Sequence, residues 1–379
     1  MLPNETNTYT FKMKRFLISG GGTGGHIFPA IAIANRIKST IPDAEILFIG
    51  SNRKMEMKRV PEAGYPIVGL DIYGINRSLS LKGLWHNLKL PFVLLKSMSK
   101  ARKTIRTFKP DVAIGVGGFA SAPALRAAIA LGVPALIQEQ NSYPGITNKL
   151  LSKKVRKICV AYEGLEKYFP ASKIVLTGNP IRAELLNIQY KNEEAYRFFG
   201  LQKGVQTLLV MGGSLGARAI NECIIKILPA LEKEQIQLIW QTGEQYYNAH
   251  KEELKKLETA QIKIMPFIYN MNYAYSVADI IVSRAGALAI AELSVVASPT
   301  LLIPFPFAAE DHQTKNAQAL ADRQAACLIP DNRIDTQLLP QLLELLHNKA
   351  LCQTLSQNIR QFAKPNAIDL IFNEIMKCS

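Results

Sequence analysis

RFLISGGGTGGHIFPAIAIANRIK, residues 15–38, decides the fold class. Arg15–Ser19 is a short apolar run, residues 20–25 are five glycines around Thr23, and from Ile27 onward apolar residues recur at helical spacing. Strand, glycine turn and helix in that order open a βαβ unit. Glycine lets backbone amides approach an anion closely, and the helix N-terminus adds favourable potential for phosphate or developing negative charge. The stretch satisfies G-x-G-x-x-G at Gly20, Gly22 and Gly25, but a dinucleotide site also needs an acid about 20 residues further on, at the end of the second strand. That strand ends Leu47-Phe48-Ile49-Gly50-Ser51, with Asp43 and Glu45 before or at its start, which argues against a dinucleotide.

The same alternation continues outward. Strands are predicted at Arg15–Ser19, Glu45–Ile49, Pro66–Leu70, Asp111–Val116, Pro134–Gln138, Lys157–Val160 and Lys173–Leu176, with helices near 27–39, 53–63, 80–107, 121–131 and 144–152. After the turn Gly178-Asn179-Pro180 the pattern restarts with Thr207–Met211, a glycine loop at 212–216 and a helix near 217–232, then strands at Ile236–Gln241, Ile262–Met265, Asp279–Val282 and Thr300–Ile303. The expected fold is α/β, with two Rossmann-like lobes, 1–180 and 181–379, whose parallel sheets face across a cleft. The helical stretch from about Asp335 can pack on either lobe. Gly212-Gly213-Ser214-Leu215-Gly216-Ala217-Arg218 repeats the glycine arrangement in the second lobe, and two such loops suggest a ligand bridging both. A third cluster, Gly115-Val116-Gly117-Gly118-Phe119-Ala120-Ser121, offers a site for a second phosphorylated group.

The chain of 379 residues is 48% hydrophobic and 20% charged, enough apolar material for real cores and unlike a disordered or fibrous chain. No run reaches the roughly 18 apolar residues of a membrane span, and MLPNETNTYTFKMKR lacks the apolar core of a secretory signal, so a cytoplasmic location is expected. The cysteines, Cys159, Cys223, Cys327, Cys352 and Cys378, are widely spaced and form no C-x-x-C pair, so neither a disulfide nor a metal is expected. Charge is uneven. Residues 1–175 hold 26 Lys and Arg against 10 Asp and Glu, and residues 176–379 hold 19 against 20. The basic half implies an anionic partner, nucleic acid or a lipid surface. Between 79 and 109, Lys82, Lys89, Lys96 and Lys103 recur every seven residues beside Leu84, Trp85, Leu88 and Phe92, a pattern suited to an interfacial segment on anionic lipid, with Pro91 expected to interrupt the helix.

GGGTGGHIFPA at 20–30, GVGGFASAP at 115–123, QEQN at 138–141, GNPIR at 178–182, GGSLGAR at 212–218, SRAGALAIAE at 283–292 and DHQTKNA at 311–317 resemble, in order, the motifs of the MurG family over roughly residues 14–330. These bacterial transferases move N-acetylglucosamine (GlcNAc) from UDP-GlcNAc to the undecaprenyl-pyrophosphoryl-MurNAc-pentapeptide (lipid I), making lipid II. The resemblance implies a GT-B fold and an inverting reaction without metal or cofactor. It also implies a donor held mainly by the second lobe and a peripheral enzyme on the cytoplasmic face of the inner membrane, with no nucleic acid partner. By position it assigns donor contacts to Thr23, Gly24, Gly25, Asn141, Arg182, Ser214, Ile268, Ala287, Leu288, Ala289, Ile290, Ala291, Glu292 and Gln313, and the acceptor pyrophosphate to Gly22, Gly117, Gly118 and Ser121.

Each assignment has a physical reason. Glu292 stands alone as an acid in an apolar helix and suits the two ribose hydroxyls. The Ser214 loop and Arg182 suit the phosphates. Ile268 offers its backbone to uracil. His26 and Glu139 are both candidates for the general base, and Asp311 is read as the N-cap of a helix carrying Gln313 and Asn316. Gln138, Ala289 and Ala297 depart from the family, which commonly has His, Thr and Gly there, and Ala289 removes a hydroxyl from the donor side. The alternatives are a UDP-GlcNAc epimerase of the same fold, which needs acids and a His arranged for elimination and no membrane-facing apolar patch, and a non-catalytic nucleotide-sugar or nucleic-acid binding protein, which explains the basic lobe but not a neutral lobe with its own phosphate loop and Glu292.

Overall fold

The computed structural model describes residues 14–52, 54–73, 88, 90–213, 216–308 and 311–378. The chain divides into two compact units. One takes the chain to Gln140, then Pro144–Thr177 and Asn366 onward; the other takes Asn141–Tyr143 and Gly178–Pro365.

The first unit is built on seven parallel strands: β1 (Arg15–Ser19), β2 (Glu45–Ser51), β3 (Ile67–Leu70), β4 (Val112–Gly115), β5 (Ala135–Glu139), β6 (Lys157–Val160) and β7 (Ile174–Leu176). Their order is β3-β2-β1-β4-β5-β6-β7. The middle of β1, Phe16–Ile18, is apolar without alternation because helices cover both faces of the sheet, as parallel sheets require. Phe16 and Ile18 enter one core and Leu17 enters the other. The first core is completed by the helix Ala367–Cys378, whose Ile371, Phe372 and Ile375 join Ile27, Ile33 and Ile37 of the helix Gly24–Thr40.

The second unit repeats the scheme with β8 (Thr207–Met211), β9 (Gln237–Gln241), β10 (Ile262–Met265), β11 (Ile280–Ser283), β12 (Thr300–Leu302) and β13 (Cys327–Leu328), in the order β10-β9-β8-β11-β12-β13. All pairings are parallel. Leu208 and Val210 face one core, Leu209 and Met211 the other.

In both sheets strand order reverses beside the first strand of the unit. Ser19 pairs with Gly115 in the first and Met211 with Ser283 in the second. The glycine motifs follow those residues directly, so each unit gathers its motifs at the carboxyl ends of its central strands, where open α/β sheets bind ligands.

Two local expectations change. β13 is too short for periodicity to reveal, and it enters the sheet by pairing with β12. Pro91, expected to interrupt the helix of 80–107, is the second residue of Leu90–Phe108, which runs on from it to Phe108. Residues 74–87 and 89 lie outside the described residues.

Ala297 explains one departure from the family. It closes the helix Ala287–Val296 with φ of +54°, a left-handed conformation that glycine adopts without the Cβ clash. Ala297→Gly is expected to raise the unfolding free energy by about 0.5–1 kcal/mol, read as a higher denaturant midpoint at unchanged slope. A lower midpoint would show that the strain is already relieved.

Candidate functional site

In the first unit the motif loops interlock. A Cβ on Gly20 would lie 2.1 Å from Val116 Cγ2, and one on Gly118, at φ +86°, would lie 2.2 Å from the Gly21 carbonyl oxygen. Glycine at these positions is what allows the loop after β1 to touch the loop after β4. His26 packs over Gly117, whose Cβ would come within 2.8 Å of Nε2, and His26 Nδ1 stands 3.4 Å from Thr23 Oγ1. Thr23 precedes the helix Gly24–Thr40 but makes no side-chain cap, leaving the Gly24 and Gly25 end of the helix for an outside acceptor.

Two assignments to the acceptor pyrophosphate change here. The Gly22 amide points inward and donates to Glu56 Oε2 at 3.0 Å. Ser121 is buried, and its hydroxyl is shared between the carbonyls of Ser19 at 2.6 Å and Gly117 at 2.9 Å, so it fastens the loops together. Glu139 changes as well. At 1% exposure its Oε2 accepts from Asn148 Nδ2 at 2.8 Å and from the Gly145 amide at 3.1 Å. A carboxylate so enclosed organises the end of β5 and the following helix Ile146–Leu151, whereas the half-buried His26 stands at the mouth of the first loop. Gln138 and Gln140 are buried beside it, hydrogen-bonded to each other, with Gln140 also reaching the Val116 carbonyl at 2.9 Å. Where the family commonly has a histidine, Gln138 therefore serves packing between β5 and the loop after β4.

In the second unit Glu292 is the centre. Its Oε1 lies 3.2 Å from Arg182 Nε and its Oε2 accepts from the buried Tyr275 hydroxyl at 3.1 Å. Burial pushes the Glu292 carboxyl above the usual carboxylate range, while the Arg182 charge and the Tyr275 hydrogen bond pull it back. A carboxylate has about four acceptor sites, so two protein partners leave room for ribose hydroxyls. Arg182 is thus tied to Glu292 through Nε. The helix carrying Glu292 starts at Ala287 after an extended Gly286 that gives no side-chain cap, so the amides of Ala287, Leu288 and Ala289 have no intrahelical acceptor. Ile290 and Ala291 continue the turn, with Ile290 in the core.

Ile268 offers half of what the sequence suggests. Its amide donates to Gln241 Oε1 at 3.1 Å, leaving the carbonyl for a base. Gln241 Nε2 in turn donates to the Gly213 carbonyl at 3.0 Å, tying the glycine loop to the Ile268 segment. Gln313 Oε1 accepts the Phe305 amide at 2.9 Å, which holds the 304–307 loop against the helix His312–Ala321. Asp311 sits at the N-cap in the left-handed region, φ +55°, without a side-chain cap bond, so it does not cap in the expected way. Asn316 is fully buried and its Oδ1 accepts from both the amide (3.1 Å) and hydroxyl (2.8 Å) of Ser142, which brings Asn141 to within 3.5 Å of Asn316 Nδ2. Ser214 lies outside the described residues.

Several participants escape the sequence reading: Glu56, Gln241, Tyr275 and Arg284, which donates to the Ile303 and Pro304 carbonyls and Asp331. Only Gln241 carried a signal, as a polar residue at the edge of the apolar stretch Leu238–Trp240. Of the expected membrane segment, Leu88, Phe92 and Leu95 are 70%, 77% and 66% exposed, with Lys96 and Lys103 exposed on the same helix. Lys82, Leu84, Trp85 and Lys89 lie outside the described residues. No helix among the described residues is long and apolar enough to cross a membrane.

Residues 16–160 match the glycosyltransferase family 28 N-terminal domain and residues 207–371 the family's C-terminal domain. A UDP-N-acetylglucosamine--N-acetylmuramyl-(pentapeptide) pyrophosphoryl-undecaprenol N-acetylglucosamine transferase from Cytophaga hutchinsonii is 54% identical over 366 residues, 97% of each chain. The crystal structure of Acinetobacter baumannii MurG aligns with a TM-score of 0.76 at 32% identity, over 96% of this chain and 99% of that one. A Neisseria meningitidis UDP-GlcNAc 2-epimerase shares the fold alone, at 15% identity and a TM-score of 0.64 over 96% of this chain and all of that one. Two Rossmann-like units with motif loops at their central strands define a glycosyltransferase of the GT-B class. Within that class the chain belongs to glycosyltransferase family 28, as a hexosyltransferase.

In the role the resemblance implies for it, Glu292 accepts from two ribose hydroxyls best when ionised. Donor affinity is therefore expected to be full at neutral pH and to fall as pH drops through a carboxyl value higher than that of an ordinary glutamate. Arg182→Met removes the charge that lowers this value and moves the fall to higher pH, whereas Glu292→Ala weakens donor binding by about 2–4 kcal/mol at neutral pH and flattens its pH dependence. Calorimetric titration of UDP-GlcNAc across pH checks both. Parent-like affinity in a folded Glu292→Ala variant would remove Glu292 from the site.

Proposed function

We propose that the chain transfers GlcNAc from UDP-GlcNAc to lipid I, producing lipid II and UDP with inversion at the sugar carbon. The observation that carries this reading is Glu292, held by Arg182 and Tyr275 two turns into a helix whose N-terminal amides are uncapped. The relative from Cytophaga hutchinsonii, 54% identical across nearly the whole chain, bears the name of this activity. The second unit binds the donor. Glu292 takes the ribose, the Ile268 carbonyl the base, and the amides of Ala287–Ala289 the diphosphate. Gln313, Asn141 and the Gly24–Gly25 end of the first helix complete the contacts with the sugar.

The first unit binds the acceptor. As its hydroxyl oxygen bonds to the sugar carbon, the proton passes to His26, the bond from that carbon to the UDP oxygen breaks, and the electron pair leaves with UDP. Charge developing on UDP is stabilised by helix-terminal amides, fixed dipoles that need no reorganisation as the bond breaks. The membrane part of the reading rests on Leu88, Phe92 and Leu95, which follow one another at helical spacing beside exposed lysines in the basic half. The enzyme is thus peripheral on the cytoplasmic face of the inner membrane, where its lipid-linked acceptor resides.

Incubation with UDP-GlcNAc and a water-soluble lipid I analogue is expected to release UDP only when the acceptor is present. Acceptor-independent UDP release, or epimerised donor, would overturn the activity. Binding to vesicles of anionic phospholipid is expected to fall with salt and to be lost when Lys82, Lys89, Lys96 and Lys103 are all changed to Glu, at about 1 kcal/mol per cation. Transfer to the soluble analogue should then persist. Parent-like sedimentation of that variant with vesicles would assign the lysine row to another role.

A further inference from the structure

Beneath the first glycine loop lies a carboxylate that the reaction above does not use. Glu56 is wholly buried, yet no cation pairs with it among the described residues. Both of its oxygens are taken by backbone. Oε2 accepts the Gly22 amide at 3.0 Å and Oε1 the Ser51 amide at the end of β2, at 2.9 Å. Room for it is made by two glycines, since a Cβ on Gly21 would stand 2.2 Å from Oε1 and one on Gly50 2.7 Å from Cγ. Burying a charge is costly unless it is hydrogen-bonded, and bonds to charged groups are the strong ones, so this carboxylate fixes the peptide between Gly21 and Gly22 firmly.

We propose that Glu56 is a positioning residue for sugar transfer. It holds the Gly20–Gly25 loop from below, while Gly118 presses on the Gly21 carbonyl from the side of β4 and His26 rests on Gly117. The loop is clamped between these supports, and the clamp sets where His26 meets the acceptor. Because the Gly22 amide is turned toward Glu56, the loop presents its helix-terminal amides to an anion instead of that one. This inference rests on the proposed transferase reading and adds a residue that touches neither substrate.

Glu56→Gln keeps the shape but sets an NH2 group against one of the two amides. It is expected to lower kcat at least about tenfold and to raise acceptor KM several-fold, while the Kd for UDP-GlcNAc stays within about twofold, because the main donor contacts belong to the second unit. Gly21→Ala drives a methyl into Oε1 and should give the same kinetic pattern with the carboxylate intact. Circular dichroism and thermal melting report whether each variant is folded, and Gly21→Ala carries the test if Glu56→Gln is not. Parent-like kcat and acceptor KM in either folded variant would overturn the proposal. So would equal loss of donor binding and turnover, or failure of both variants to fold, each of which would make Glu56 a scaffold residue only. A parent enzyme that forms no disaccharide product would instead overturn the transferase reading.

Discussion

The unsatisfied first turn of a helix is the constraint on which this molecule depends. After β1, β8 and β11, at the centre of their sheets, the chain turns into a helix whose N-cap residue, Thr23, Ala217 or Gly286, makes no side-chain cap bond. Side-chain caps are few among the described helices, Asn192 for the Glu194 amide and Asn348 for the Leu351 amide, so what sets these three apart is the glycine-bearing segment that precedes each at the carboxyl end of a central strand. Helix-terminal amides without a cap suit an anion. Glycine is the local device that permits it, because any side chain at Gly20, Gly118 or Gly212 would collide with the neighbouring loop or with the start of the next helix.

Once amides are reserved for ligand, other polar groups must hold the loops, and the structure does this with buried side chains that reach backbone. Ser121 ties the loops after β1 and β4, Gln241 ties Gly213 to Ile268, and Arg284 ties the start of the Glu292 helix to residues 303 and 304. Glu292 follows a different logic. In its largely enclosed position burial pushes the carboxyl toward the neutral acid, and one cation and one hydroxyl pull it back toward the charged form.

Much of this was legible in the sequence, and the limits have physical reasons. Strands such as Arg15–Ser19, Lys157–Val160, Thr207–Met211 and Ile262–Met265 were readable to the residue, because apolar runs bounded by turn residues reflect burial on both faces. β13 was not, since its membership comes from pairing with β12 rather than from any local pattern. Glu292 stood out as an acid in an apolar helix, but its pairing with Arg182 links residues 110 positions apart, and no local pattern encodes that. For the same reason Glu139 looked available for proton transfer until Asn148 and Gly145 were seen to enclose it, and the Ile268 amide looked open until Gln241 was placed beside it.

The helix Ala367–Cys378 follows the whole second unit in the chain yet supplies Ile371, Phe372 and Ile375 to the core of the first. On the ribosome, the first unit therefore waits with its Gly24–Thr40 helix partly bare while nearly two hundred further residues are made. Its apolar surface is open to chaperones and to misassembly for that interval, whereas the second unit, apart from residues 141–143 contiguous in sequence, can close as soon as it emerges. Completion of the first unit thus waits for the helix Ala367–Cys378, so no nascent fragment that stops short of residue 366 carries a finished first unit.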